Sequence, residues 1–270
     1  MTGFRDLQGE IERFLDGRAE EMAALSDRLG KNPEVSGKEF ESSRIFAETL
    51  AKGGFEVELP FMGIETAFMA KKKCGRGGVV ALLAEYDALP GIGHGCGHSV
   101  HGTLSVYAGL ALARAVEKTG GEVWVVGTPA EETDGAKVPM AREGVFDGAD
   151  LAMMFHSNAG KSYVDMRVLA IEAFEFVFKG RTAHSAAAPW DGVSALNALR
   201  LFLNAVDMLR LHLRPTSRVH AVVSEGGTAP NIIPDRAACF VEARSPRLEG
   251  ADELFGFIFE LAEIQTALGD

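Results

Sequence analysis

Apolar residues return every third or fourth position near the start of the chain, where Leu7, Ile11, Phe14, Leu15, Met22, Leu25 and Leu29 share one helical stripe. The pattern predicts a helix from Asp6 to Leu29, stopped at Gly30. A second helix is expected from Lys38 to Lys52, ended by Gly53-Gly54. Strands are expected from Phe55 to Leu59, Glu65 to Lys72 and Val79 to Tyr86. A helix from about His101 to Lys118 then leads into the strand-like Glu122-Val123-Trp124-Val125-Val126, and Leu151 to Phe155 reads as a further strand. Strand, turn, helix and strand in that order make an α/β fold with a mostly parallel mixed sheet.

Around Asp165 the pattern changes. A long alternating strand is expected from Val168 to Lys179, then a helix from Val193 to about His212. Two strands, Val219 to Glu225 and Ala237 to Arg244, flank turns at Gly226-Gly227 and Pro230 to Pro234, and a helix from Asp252 to Leu268 follows. This β-α-β-β-α succession divides the chain into two domains, residues 1–164 and 165–270. With 270 residues, 47% hydrophobic and 24% charged, there is enough apolar material for two cores.

The formal charge of -11 argues against nucleic acid as a partner, because phosphate would be repelled. No apolar run approaches the roughly 20 residues needed to cross a membrane. The first residues lack the basic start and apolar core of a secretory signal. Three cysteines without a disulfide-like spacing suit a reducing cytoplasm.

Chemistry concentrates in Gly93-His94-Gly95-Cys96-Gly97-His98-Ser99-Val100-His101, which holds three of the seven histidines and one of the three cysteines. Imidazole and thiolate are ligands for zinc and similar metals, and the interleaved glycines let them converge. The alternative is a glycine-rich turn with incidental histidines. Three strand-like runs sharpen the metal reading. The first ends in Glu85-Tyr86-Asp87, the second in Gly127-Thr128-Pro129-Ala130-Glu131-Glu132, and the third in His156. Ligands in open α/β sheets gather at the C-terminal edge of the strands. Adjacent carboxylates repel, so a Glu-Glu pair makes sense where one binds a cation and the other stays free as a base. Glu85 itself is open between a ligand and a solvated strand-end charge, while His94 and His101 read as turn residues or as residues supporting a ligand from behind rather than as ligands. Cys74 and Cys239 read as buried thiols. A nucleophilic Cys96 paired with His98 lacks an orienting partner.

The motifs EYDALPGIGHGCGH, GTPAEE, Phe155-His156, GRTAHSAAAPWDGVSA and GGTAPNIIPDRAACFVEARSP together resemble one family. It is that of the metal-dependent amidohydrolases and exopeptidases, which includes aminoacylases, hippurate hydrolases, auxin-conjugate hydrolases and aminobenzoyl-glutamate hydrolases. The wording around Cys96 is most similar to the branch that uses a cysteine ligand. The resemblance implies two divalent ions, zinc or manganese, held by Cys96, His98, Glu132 and His156, with Cys96 as the bridge. It implies Glu131 as general base, Asp87 as the residue that orients a ligand, and His184 as a partner-subunit group stabilising the oxyanion. Asn231 and Arg244 match positions that bind the substrate carboxylate. The second domain would be an inserted α+β lid through which a homodimer forms. The activity implied is hydrolysis of an amide bond in an N-acyl or N-aroyl amino acid or a small dipeptide.

The resemblance also implies a sixth lid element and a final histidine ligand that no residue here matches. An exposed sheet edge and exposed apolar surface are expected from that difference. It keeps a second reading in play, a catalytically impaired scaffold or dimerisation protein.

Overall fold

The computed structural model describes residues 2–164 and 168–267, so Asp165 and Leu268 of the sequence reading lie outside the described residues. Two compact units are present, Met1–Ser162 and Tyr163–Asp270.

The first unit begins with helices α1 (Thr2–Asp16), α2 (Ala19–Lys31) and α3 (Phe40–Lys52). The single helix expected over Asp6 to Leu29 is thus two. It breaks at Gly17, whose N–H closes on the Arg13 carbonyl, because glycine is the weakest ordinary residue in a helix interior. There follow β1 (Glu56–Glu58), β2 (Phe68–Cys74), β3 (Val79–Ala84), α4 (His98–Thr119), β4 (Gly121–Gly127), α5 (Lys137–Arg142) and β5 (Leu151–Met154). The sheet order is β1-β2-β4-β3-β5. The β4-β3-β5 part is parallel and the β1-β2-β4 part antiparallel.

Alternation along β4 explains why it reads as one continuous apolar run. Val123 and Val125 enter the core beneath α3 and α4, while Trp124 and Val126 pack on the opposite face with Met69, Ala81 and Met140. Helix α4 lies close against the sheet at two glycines. A Cβ at Gly102 would stand 2.0 Å from the Glu85 carbonyl oxygen, and one at Gly109 would stand 2.3 Å from Val125. At the edge of the sheet, all four residues of β5 are exposed.

The second unit comprises β6 (Ala170–Lys179), α6 (Ala195–Leu209), β7 (Arg218–Glu225), β8 (Arg236–Ser245) and α7 (Leu248–Ala267), in the expected β-α-β-β-α order. Its antiparallel sheet runs β6-β8-β7. Phe176, Phe178, Leu199, Phe202, Cys239, Val241 and Phe255 form its own core. Cys239 is buried as expected, whereas Cys74 is only half-buried.

Candidate metal centre

Parallel pairing places the C-terminal ends of β3, β4 and β5 at one edge of the first unit. Glu85 and Asp87 follow β3, Glu131 and Glu132 follow β4, and His156 follows β5. Helix α4 starts at His98, three residues before the expected His101, with left-handed Gly97 immediately ahead of it. His98 and His101 are therefore three apart in its first turn, on one face.

The donor atoms converge in two groups that share His98. Those of Glu85, His98, His101 and His156 lie within 4.8 Å of one another, as do those of His98, Glu131 and Glu132. His98 Nε2 is 3.5 Å from Glu85 Oε2, 3.7 Å from Glu132 Oε1 and 3.8 Å from Glu131 Oε2. Two ligands on a tetrahedral ion with bonds near 2.0–2.2 Å stand about 3.3–3.6 Å apart, so this spacing suits a small cation.

The Nδ1 nitrogens of the two buried histidines are both held by hydrogen bonds. His98 Nδ1 donates to Asp87, 2.8 Å from its carboxylate and 2.9 Å from its carbonyl. His101 Nδ1 donates to the Phe155 carbonyl at 2.8 Å. For His98, a proton fixed on Nδ1 leaves Nε2 as a lone pair facing Glu85, Glu131 and Glu132, the arrangement that prepares imidazole for a metal, while His101 Nδ1 is itself 3.8 Å from Glu85 Oε2. Both Nε2 atoms and Glu85 Oε2 are buried without a hydrogen-bond partner. Unsatisfied buried polar atoms cost about 1–3 kcal/mol each, and a cation bound between His98 Nε2 and Glu85 Oε2 would satisfy both of those atoms. The residues present therefore fit a divalent ion.

Protonation follows from these contacts. Burial would raise the Asp87 carboxyl, but hydrogen bonds from His98, the Glu132 N–H and the Ser36 hydroxyl outweigh it and hold the group down at about 2. Burial lowers His98, yet the Asp87 bond and the Glu85 charge prevail and raise it. Burial pushes His101 down to about 4. Burial and then the Glu85 charge raise Glu131, which stays 37% exposed.

Sequence reasoning underweighted several groups. Glu85 is 2% exposed, so it is not a solvated strand-end charge, and Lys137 pairs with its Oε1. His101 belongs to the donor cluster rather than to a turn. The three-residue spacing of His98 and His101 was the available signal, hidden by the displaced start of α4. Cys96 sits beside Glu132, whose hydrogen bond, followed by burial, pushes the thiol up to about 11. Among the described residues its sulfur is in neither donor group. His94 is also outside both groups, and both of its ring nitrogens are buried without partners.

In the second unit, His184 Nδ1 accepts from the Ala186 and Ala187 N–H groups at 3.2 Å. Its backbone pairs with Ile232, and the Asn231 carbonyl accepts from the Ser185 N–H, so His184 and Asn231 are neighbours. Arg244 is not with them. It lies toward the other end of β8, opposite Ile171 and Arg218, and bonds Glu242 at 2.6 Å.

Residues 171–266 match the peptidase dimerisation domain of the M20 peptidases. The chain is 34% identical over 278 residues to one of the subunits of the Escherichia coli p-aminobenzoyl-glutamate hydrolase, covering 94% of this chain and 58% of that protein. Residues 171–266 are thus a dimerisation domain of the M20 peptidase type. Mouse Xaa-Arg dipeptidase is 35% identical over 250 residues, covering 87% of this chain and 57% of that relative. The chain thus spans less than two thirds of the length of these relatives. Solved structures share the M20 fold. A Klebsiella pneumoniae aminobenzoyl-glutamate utilization protein superposes with a TM-score of 0.69 at 20% identity, covering 96% of this chain and 75% of that one. A Bacillus subtilis dinuclear metal binding peptidase of the M20 family gives 0.67 at 22%, covering 93% and 71%. Among the described residues, no helix is long and apolar enough to cross a membrane.

Proposed function

We propose that this chain carries the metal-binding part of a hydrolase that cleaves the amide bond of an N-acyl or N-aroyl amino acid or a small dipeptide. One observation carries the reading. A partly exposed carboxyl of raised pKa, Glu131, stands 3.8 Å from His98 Nε2, which faces the buried, unpartnered Glu85 Oε2. The names of the relatives supply the substrate class, an aminobenzoyl-glutamate amide and an Xaa-Arg dipeptide.

The ligands proposed are His98, Glu132 and His156, with Cys96, and the geometry favours adding Glu85 and His101. Two divalent ions, zinc or manganese, suit this mixture of imidazole, thiol and carboxylate. A bound divalent ion supplies Lewis acidity, lowering the pKa of water and polarising a carbonyl. Glu131 takes the proton of the attacking water and passes it to the leaving amine, a role for which a raised carboxyl is suited. Asp87 keeps His98 in the required tautomer. From the second unit, His184 is proposed to donate to the developing oxyanion and Asn231 to hold the substrate carboxylate, whereas Arg244, bonded to Glu242 toward the other end of β8, is set apart from both. The dimerisation-domain match supports a homodimer formed through residues 165–270, with residues 1–164 as the catalytic part. Free cysteines support a cytoplasmic setting.

The test is Glu131→Gln in the full-length protein, assayed on benzoyl and aminobenzoyl amino acids and dipeptides with zinc or manganese. Loss of turnover by about 10²–10⁴-fold with metal content unchanged is expected. Unchanged turnover would remove Glu131 from the mechanism.

A further inference from the structure

A carboxyl with no part in the donor cluster sits behind it. Glu39, just ahead of α3, is 0% exposed. A buried carboxyl is costly unless its oxygens are satisfied, and those of Glu39 are. Oε1 accepts from the Gly37 N–H at 2.9 Å and from the Ala130 N–H at 2.8 Å, while Oε2 accepts from the Thr66 hydroxyl at 3.0 Å.

The Ala130 contact joins residues 91 positions apart and falls at an unusual point of the backbone. Ala130 has φ +58°, in the left-handed region that a non-glycine residue seldom enters without an external hold. The next two residues are Glu131 and Glu132. The Glu132 N–H is itself held, donating to Asp87 Oδ2 at 3.0 Å. Glu131 therefore lies between two amides, each fixed by a different buried carboxyl.

The same N-terminal loop reaches the other carboxylate-bearing stretch. Ser36 donates to Asp87 Oδ2 at 2.7 Å, and the Ala88 N–H donates to the Glu34 carbonyl at 2.8 Å. Residues 34–39 thus touch the backbone or side chains that follow both β3 and β4.

We propose that Glu39 is a positioning residue: by holding Ala130 in its left-handed conformation it sets where Glu131 and Glu132 stand. Removing the carboxyl frees Ala130 to relax toward ordinary backbone, which swings both carboxylates out of register with His98. The inference rests on the reading of Glu131 and Glu132 as working groups, and metal affinity tests it separately from activity.

Three variants of the full-length protein make the test: Glu39→Ala, Glu39→Gln, and Glu39→Ala combined with Ala130→Gly. Each is examined for kcat and KM, for zinc affinity by competition with a chromogenic chelator, and for folding by circular dichroism. Glu39→Ala is expected to lose about 10–100-fold in kcat and in zinc affinity, as when support behind a ligand is removed. Glu39→Gln keeps an acceptor for both N–H groups and stays close to the parent. Ala130→Gly, at which positive φ carries no steric cost, recovers part of what Glu39→Ala loses. Parent-like zinc affinity in Glu39→Ala, or no recovery with Gly at position 130, overturns the proposal. If Glu39→Ala does not fold, Ala130→Val takes its place, since a β-branched residue resists positive φ. A folded Ala130→Val with parent-like zinc affinity then overturns it. Absence of hydrolysis in the parent protein would instead sink the functional reading, leaving the zinc comparison to judge the brace.

Discussion

His98 has a carboxylate on each side of its ring: Asp87 fixes Nδ1, and Glu85, Glu131 and Glu132 face Nε2. The first of these contacts has a pH signature. Asp87 is held at about 2 against its ordinary 3.8, so the folded state binds this proton later than the unfolded chain does. Its stabilisation is present above about pH 4 and is lost as pH falls toward 2, an effect of about 2 kcal/mol. Urea unfolding of metal-free protein at descending pH should show a shallower acid loss in Asp87→Asn than in the parent. Lys137 offers a second test. It is the cation paired with the nearly inaccessible Glu85, so Lys137→Met strands a buried carboxylate at a cost of about 1–3 kcal/mol. Zinc or manganese should then raise the melting temperature of Lys137→Met by more than that of the parent; an equal rise would mean the lysine does not offset that charge. Residue types at this scale were legible: the Gly-interleaved Cys/His run and the Glu-Glu pair both announced a cation site. Burial was not, because Glu85 at a strand end looks the same in sequence whether solvated or enclosed.

Helix α4 is the element on which the site depends, since its first turn carries both buried histidines. Its approach to the sheet is set where Gly102 passes the Glu85 carbonyl. Alanine there gains about 1 kcal/mol in helix propensity, but its methyl meets a backbone oxygen that cannot rotate away. The contact wins: Gly102→Ala should destabilise by about 1–3 kcal/mol and weaken zinc binding, read by the urea midpoint and a chelator titration. A variant with parent-like stability and affinity would show that α4 can shift without disturbing its histidines. Periodicity located most elements, and the β-α-β-β-α succession was readable in full. Element ends were harder. The start of α4 depends on Gly97 adopting positive φ, and the break at Gly17 on a single glycine within an otherwise continuous stripe.

The molecule has separate cores in its two units, with Phe46, Phe68 and Tyr86 in one and Phe176, Phe178 and Phe202 in the other. Phe202 packs 4.9 Å from the Phe176 ring and 5.4 Å from Phe178. Phe202→Ala should cost the second unit about 3–5 kcal/mol. Hydrogen exchange should then quicken in β6, α6 and β8 while β3 and β4 keep their protection; faster exchange throughout would mean the cores unfold as one. Long-range pairings such as Glu39 with Ala130 could not be read from the sequence, because nothing local marks a glutamate as the support of a turn 91 residues away. All the residues of the donor cluster, and the loop that braces it, lie within Met1–Ser162. On the ribosome this has a temporal meaning. At about 5–20 residues per second, the last residue of the first unit is joined roughly 5 to 20 s before Asp270 is added. On the function and homodimer proposed above, metal supply to the first unit and pairing with a second copy through the dimerisation domain would then be successive events in the life of each molecule.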